Sequence, residues 1–87
     1  MPNKTVTLTN ASGLHARPAA VFAKAAAGHA CAVTIAKGDR EVNAKSVLSV
    51  LTLDCHRGDE LTIATDGDGE DTALHELVSL VESGIGE

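Results

Sequence analysis

Short segments in which apolar and polar residues alternate recur along the chain, and this period of two predicts β-strands that bury one face. The clearest is residues 31–36, where Cys31, Val33 and Ile35 alternate with smaller or polar residues. The predicted strands are residues 5–9, 31–36, 40–43 and 60–65. Gly38-Asp39, between the second and third strands, predicts a two-residue hairpin turn, so these strands should run antiparallel.

Three further segments have the features of helices. Residues 17–27 are rich in strong helix formers, and Gly28 follows where a left-handed cap is common. A short helix is predicted at residues 46–53, with Ser46 as a favoured N-cap residue. The last helix, at residues 70–83, has a helical apolar stripe formed by Leu74, Leu77, Val78 and Val81.

The predicted order is strand, helix, strand, strand, helix, strand, helix. Strands with one apolar face and helices with one apolar stripe favour an α+β fold, in which the helices pack on one face of an antiparallel sheet. The 87 residues suffice for one small domain spanning 1–87, with no linker or repeat and no room for a large internal active site.

No apolar run approaches ~18 residues, and the first four residues lack the pattern of a signal peptide. We therefore expect a soluble, cytoplasmic protein without membrane insertion. In that setting Cys31 and Cys55 are expected to be reduced thiols rather than a disulfide.

The net charge of −5 is unevenly distributed. Residues 1–48 hold six Lys and Arg against two acids, a net +4, whereas residues 49–87 hold one Arg against ten acids, a net −9. Such an acidic protein is a poor binder of nucleic acid. The cations of the first half instead suggest a face that meets acidic protein partners.

The segment from Gly13 to Ala20 combines an imidazole and a guanidinium at a predicted helix start. Pro18 fits the first turn, so His15 should lie near the N-cap with the amides of Ala16 and Arg17 unbonded. These amides, the helix dipole and the Arg17 side chain would suit a phosphate dianion, and a neutral imidazole is a competent nucleophile toward phosphorus. An ordinary surface histidine at a helix start would leave the same pattern.

Residues 13–19, Gly-Leu-His-Ala-Arg-Pro-Ala, resemble the active-site signature of HPr, the histidine-containing phosphocarrier family of the bacterial phosphoenolpyruvate:sugar phosphotransferase system. Residues 42–51, Val-Asn-Ala-Lys-Ser-Val-Leu-Ser-Val-Leu, resemble the serine-site signature of the same family. The spacing and length also match, so the resemblance covers essentially the whole chain. It implies an open-faced β-sandwich with four antiparallel strands and three helices on one side.

The resemblance also implies a function. Enzyme I, phosphorylated from phosphoenolpyruvate, would transfer the phosphoryl group to Nδ1 of His15, and a sugar-specific IIA domain would remove it. Arg17 and the Ala16 amide would balance charge on the transferring oxygens, while Pro18 would stiffen the turn. Such a carrier is covalently modified without being an enzyme, and it needs no metal or cofactor. A homologue serving the nitrogen-related branch, or binding transcription regulators, would keep the same histidine motif.

Ser46 has two interpretations. As an N-cap it would be structural, contributing about 1 kcal/mol. In many HPr proteins of low-GC Gram-positive bacteria the matching serine is phosphorylated by an ATP-dependent kinase, which implies a serine kinase/phosphorylase as a further partner. Added negative charge there would slow phosphorylation of His15.

The short helix is more apolar than one buried side requires, so either all of Val47, Leu48, Val50, Leu51 and Leu53 are core or some are exposed. In the family the equivalent helix helps form the partner-binding face, which favours exposure of Val47, Leu48 and Leu51. Lys24 and Lys45 are predicted rim contacts, although Lys24 equally fits a solvated helix lysine. A monomer is favoured because a carrier must expose one face to successive partners.

Two features stand apart from the main prediction. Asp54 replaces a glycine found in many members, so the end of the short helix is expected to differ in shape. The residues His29, Cys31, Cys55 and His56 invite a metal-site alternative, but their spacing matches no zinc motif, and the adjacent Cys55 and His56 should diverge.

Overall fold

The computed structural model describes residues 1–85, which form four strands and three helices. The elements follow the predicted order: β1 (Asn3–Thr7), α1 (Ala16–Ala27), β2 (Ala32–Lys37), β3 (Arg40–Asn43), α2 (Val47–Leu51), β4 (Glu60–Asp66) and α3 (Glu70–Glu82). The domain predicted for residues 1–87 ends two positions beyond these described residues. Among them, no helix combines the length and the apolar character needed to cross a bilayer.

All four strands join one antiparallel sheet in the order β1-β4-β2-β3. The predicted hairpin is confirmed, with Lys37 opposite Arg40 and Gly38 at a φ of 60°, the conformation that glycine supplies in tight hairpin turns. β4 lies between β1 and β2, where Ile63 is opposite both Lys4 and Ile35. The last strand is therefore central and connects the two halves of the sheet.

One face of the sheet packs against the helices, and this confirms the open-faced β-sandwich. The buried core joins strand and helix residues, among them Phe22, Ile35, Val50, Leu61, Ile63 and Leu77. The opposite face carries Thr5, Thr34 and Thr62, which are exposed or half-buried, and the hydroxyl oxygens of Thr5 and Thr62 lie 2.9 Å apart in a hydrogen bond. Alternation along the strands thus separates core from solvent as predicted.

The first strand is Asn3–Thr7 rather than residues 5–9. Leu8 remains buried but pairs with a loop instead of a strand. Its amide donates to the Asp59 carbonyl at 2.9 Å, and its carbonyl accepts from the Gly58 amide at 2.8 Å. These two bonds fix the loop before β4 against the chain that leads into the first helix.

The helix ends differ from the sequence prediction. Gly28 ends α1 with a φ of −74°, so the expected left-handed cap is wrong; its amide instead donates to the Ala25 carbonyl at 3.2 Å. α2 is shorter than residues 46–53, because a turn follows Leu51. Asp54 has a φ of 52°, the left-handed conformation that glycine favours and aspartate tolerates. Glycine would suit this backbone equally, and the expected difference from members with glycine at this position remains a prediction.

Candidate functional site

His15 is the N-cap residue of α1, and its side chain is exposed. Its backbone is extended, with φ −76° and ψ −171°, and its carbonyl accepts a hydrogen bond from the Ala19 amide at 2.8 Å. The imidazole makes no capping hydrogen bond to the helix. The backbone of His15 thus starts the helix, while its ring remains at the surface.

The first turn of α1 presents hydrogen-bond donors next to this ring. Ala19 is the first residue to donate within the helix, because Pro18 has no N–H and the amides of Ala16 and Arg17 precede it. Ala16 and Arg17 are exposed, whereas Pro18 is buried against the core. A dianion beside His15 would therefore meet two backbone amides and the positive end of the helix, and Arg17 belongs to the same exposed turn.

The loop before His15 is closed on itself. The Asn10 side-chain amide donates to the Gly13 carbonyl at 2.6 Å, and the Gly13 amide donates to the Asn10 carbonyl at 3.1 Å. The next amide, that of Leu14, leaves the loop and donates to the Cys55 carbonyl at 3.1 Å. The residues after α2 are thereby attached directly to the segment that carries His15.

The absence of a side chain at Gly13 allows the loop before α1 to approach residues 55 and 56 this closely. Gly13 has a φ of 59°, and a Cβ built there would meet the Cys55 carbonyl oxygen and lie 2.8 Å from the Cα of His56. Real Cβ contacts are not that short. A side chain at position 13 would therefore separate the two segments.

This contact brings a second histidine, His56, beside His15. The two ring centroids are 5.8 Å apart with their planes at 71°, an edge-to-face arrangement. Nε2 of His56 lies 3.4 Å from Oδ1 of Asp54, and Nδ1 lies 3.8 Å from Oδ2 of Asp59. Sequence reasoning did not place His56 in the site, because no spacing pattern relates positions so far apart along the chain.

Asp59 is held in place by the neighbouring loop and by Lys37. Its Oδ2 accepts from the His56 amide at 2.8 Å and lies 3.0 Å from Nζ of Lys37. The His56 amide and then Lys37 hold the pKa of Asp59 below its ordinary value, and the hydrogen bond to Asp59 raises the pKa of Lys37. Because the pKa of Asp59 is lowered on folding, the stabilisation is present above its unfolded pKa and is lost as pH falls through its folded pKa.

The four residues of the metal-site alternative have separate environments. Cys31 and Cys55 are both buried free thiols, and burial raises the pKa of Cys55 to about 11. Nε2 of His29 lies 3.0 Å from Oε2 of Glu76 on α3, whereas His56 lies against His15. Over residues 1–85 no group of three or more His, Cys, Asp and Glu is arranged to hold a metal.

Ser46 is the N-cap of α2, as predicted, and its Oγ accepts from the Ser49 amide at 3.3 Å. The next two residues are exposed: Val47 by 37% and Leu48 by 77%. Leu51 differs from the expectation, because it is half-buried and packs against the core. The outward apolar surface of α2 is therefore formed mainly by Val47 and Leu48.

The predicted basic face is smaller than the charge count suggests. Lys37 donates to the Asp54 carbonyl at 2.8 Å, Arg40 to the Thr52 carbonyl at 2.6 Å, and Lys45 to the His29 carbonyl at 2.8 Å. Lys45 is half-buried and so fits a rim contact poorly, because its ammonium already ties α2 to the loop after α1. Arg17 and Lys24 on α1 are exposed.

The open-faced β-sandwich and the exposed His15 at the start of its first helix agree with the fold and the position that the two HPr-like motifs of the sequence predict. The family described as the PTS HPr component phosphorylation site matches residues 2–83. Phosphocarrier protein HPr of Streptomyces coelicolor is 44% identical over 88 residues, covering 100% of this chain and 95% of the relative. The chain therefore belongs to the HPr family, the phosphocarrier proteins of the phosphotransferase system.

Solved structures agree with this assignment. HPr-C-His from Thermoanaerobacter tengcongensis has a TM-score of 0.96 and 37% identity, covering 100% of this chain and 98% of that one. A structure described as an HPr dimer from the same organism has a TM-score of 0.79 at 37% identity, with full coverage of both chains. The fold is thus that of HPr, and the expected monomer remains a prediction.

We predict that Gly13→Ala destabilises the protein more than Gly38→Ala. Both glycines have a φ near 60°, so both substitutions strain the backbone, but nothing lies within 4 Å of a Cβ at Gly38. The additional clash at Gly13 should cost about 1–3 kcal/mol more in the free energy of unfolding. Urea denaturation of the two variants measures the difference; equal losses would show that residues 55 and 56 are not packed against Gly13.

Proposed function

We propose that His15 accepts a phosphoryl group from phosphorylated enzyme I and passes it to sugar-specific IIA domains during phosphoenolpyruvate-dependent sugar uptake. The observation that carries the proposal is the exposed His15 ring at the N-cap of α1, next to amides that the helix does not use. The chain would act in the cytoplasm as a single-domain monomer and a covalent carrier rather than an enzyme.

The first step is attack by neutral His15 on the phosphorus of the phosphoryl group carried by enzyme I. A new N–P bond forms at Nδ1 of His15 as the bond between phosphorus and enzyme I breaks, so the phosphoryl group passes from one protein to the other. The Ala16 and Arg17 amides and the Arg17 guanidinium stabilise the charge on the transferring oxygens. Pro18, buried in the first turn, keeps those donors in position.

In the second step His15 is the donor, and its N–P bond breaks as the IIA domain accepts the phosphoryl group. The N–P bond suits a carrier because phosphohistidine is labile and retains a high transfer potential. Since the ring and the donors lie at the surface, a second protein can complete the site by bringing its own acceptor group in line with the N–P bond.

The partner surface in this proposal combines charge with apolar contact. Arg17 and Lys24 on α1 supply exposed cations, and Val47 and Leu48 on α2 supply exposed apolar area. α1 and α2 pack against each other, so the two groups belong to neighbouring elements. Exposed apolar residues beside cations suit reversible docking with several acidic partners.

Ser46 lies at the start of this apolar helix, which supports a regulatory role for its phosphorylation. A phosphate there would add charge of about −2 to the surface offered to acidic partners. We propose that this charge slows phosphorylation of His15 by weakening the encounter with enzyme I, and that the modified form is the one read by carbon-regulatory partners.

We predict that His15→Ala abolishes phosphorylation by enzyme I and phosphoenolpyruvate while the fold is retained, since the exposed ring makes no capping bond. His75→Ala, which removes an exposed histidine on α3, serves as the control and should be phosphorylated normally. Labelled phosphate and its acid lability measure the result. Acid-labile phosphate persisting on the His15 variant would refute the assignment.

Arg17→Gln is expected to slow phosphoryl transfer by about tenfold in at least one direction, because a charge-assisted hydrogen bond to the transferring oxygens is lost. Lys24→Gln removes a cation two helical turns farther along α1 and should have a smaller effect. Rapid-quench kinetics with enzyme I and with a IIA domain separate the two directions. Equal rates for Arg17→Gln and wild type in both would exclude Arg17 from the mechanism.

For Ser46 the informative pair is Ser46→Asp and Ser46→Asn, because both residues are good N-caps and only one is charged. The aspartate variant should accept phosphate from enzyme I several-fold more slowly, and the difference should shrink at high salt. The asparagine variant should behave like wild type. Identical rates for both variants would contradict the electrostatic argument.

A further inference from the structure

His56 lies beside His15 on a loop that the fold holds at several points. The Leu14 amide binds the Cys55 carbonyl, the His56 amide binds Asp59, and the Asp59 amide returns to the His56 carbonyl at 3.0 Å. The Gly58 amide then ties the same loop to Leu8. The 5.8 Å separation of the two rings is therefore set by backbone contacts on both sides.

The charge of His56 sets the net charge of the cluster that it forms with Asp54, Asp59 and Lys37 beside His15. Asp54 and Asp59 lie against the two ring nitrogens of His56, and Lys37 is the cation paired with Asp59. With a neutral His56 these three groups sum to one negative charge, which would oppose a phosphoryl dianion on His15. With a protonated His56 the four groups together sum to zero. Arg17, two residues after His15, and Arg57, next to His56 in the chain, are exposed cations whose charge does not depend on His56. Cys55 stays a neutral thiol, since burial raises its pKa to about 11.

The ring can donate hydrogen bonds to both carboxylates only as an imidazolium, because a neutral imidazole has a proton on one nitrogen only. Its side chain is 55% exposed, so protons exchange with solvent and the ring can turn toward a new anion. Histidine is also the side chain that ordinarily changes charge around neutral pH. Protonation of His56 thus raises the net charge beside His15 by one unit.

We propose that protonated His56 is a charge partner of the phosphoryl group on His15 and makes the phosphorylated state of this chain depend on pH. The inference rests on the proposed function of His15. No bond to His56 forms or breaks: the phosphoryl group moves between the donor nitrogen and His15, and His56 takes its proton from solvent.

The sign of the effect follows from linkage. The dianion favours the charged form of His56, so the phosphorylated chain retains this proton to higher pH than the unphosphorylated chain. The advantage to the phosphorylated state is complete at low pH and is lost as pH rises through the His56 titration of that state. At about the ring separation, attraction across water between a cation and a dianion is worth roughly tenfold in the ratio of phosphorylated to unphosphorylated protein.

The test compares wild type, His56→Gln and His75→Gln, the last being a control that removes an exposed histidine on α3. Each is equilibrated with enzyme I at a fixed ratio of phosphoenolpyruvate to pyruvate, from about pH 6 to about pH 8.5, where a histidine changes charge. We expect His56→Gln to lower the phosphorylated-to-unphosphorylated ratio about tenfold at the acidic end and to leave it unchanged at the alkaline end. The control should follow wild type throughout.

A second measurement is independent of enzyme I. Wild type is phosphorylated with phosphoramidate, the modification is mapped to His15, and the His56 ring protons are titrated by NMR. Their midpoint should move to higher pH on phosphorylation. An unmoved midpoint, or a His56→Gln effect equal at all pH values, would overturn the inference while leaving His15 as acceptor. Failure of enzyme I to label wild type would instead refute the proposed function, and the phosphoramidate titration would still decide whether His56 responds to the phosphoryl group.

Discussion

The hydrogen bond from the Leu14 amide to the Cys55 carbonyl is the contact on which the candidate site depends. It joins the loop before α1 to the loop after α2, and it forms because Gly13 has no side chain to keep the two backbones apart. The same contact orders the start of α1, where His15 stands, and brings His56 to its side. A surface histidine thereby acquires a fixed environment without being buried.

The positive charge of the first half of the chain serves two purposes in the fold. Lys37, Arg40 and Lys45 donate to backbone carbonyls near the ends of helices, two of them just after α2, where such carbonyls lack helical partners. Arg17 and Lys24 remain exposed on α1. A charge count alone treats all these cations as one docking surface, but in the structure three of them bind backbone carbonyls that follow α1 or α2.

α2 is a short helix with one buried side and one exposed apolar side. Val50 is fully buried and Leu51 packs partly against the core, while Val47 and Leu48 face outward. A helix of five residues has little stability of its own, so the cap at Ser46 and the bonds from Lys37 and Arg40 to the following turn matter for its position. Exposed apolar residues can therefore be carried at the surface without loosening the element that presents them.

The sequence by itself determined the order of the elements, the face that each strand buries and the position of His15 at a helix start, because these follow from periodicity and from the local chemistry of Pro18, Gly38 and Ser46. It also identified the family, through two motifs at matching spacing. Only the tertiary structure decided that β4 lies at the centre of the sheet, that Leu51 turns inward, and that Asp54, His56 and Asp59 surround the site. Those outcomes depend on contacts between residues distant in the chain, such as Leu14 with Cys55. The periodicity of a single segment does not specify which distant segment it contacts.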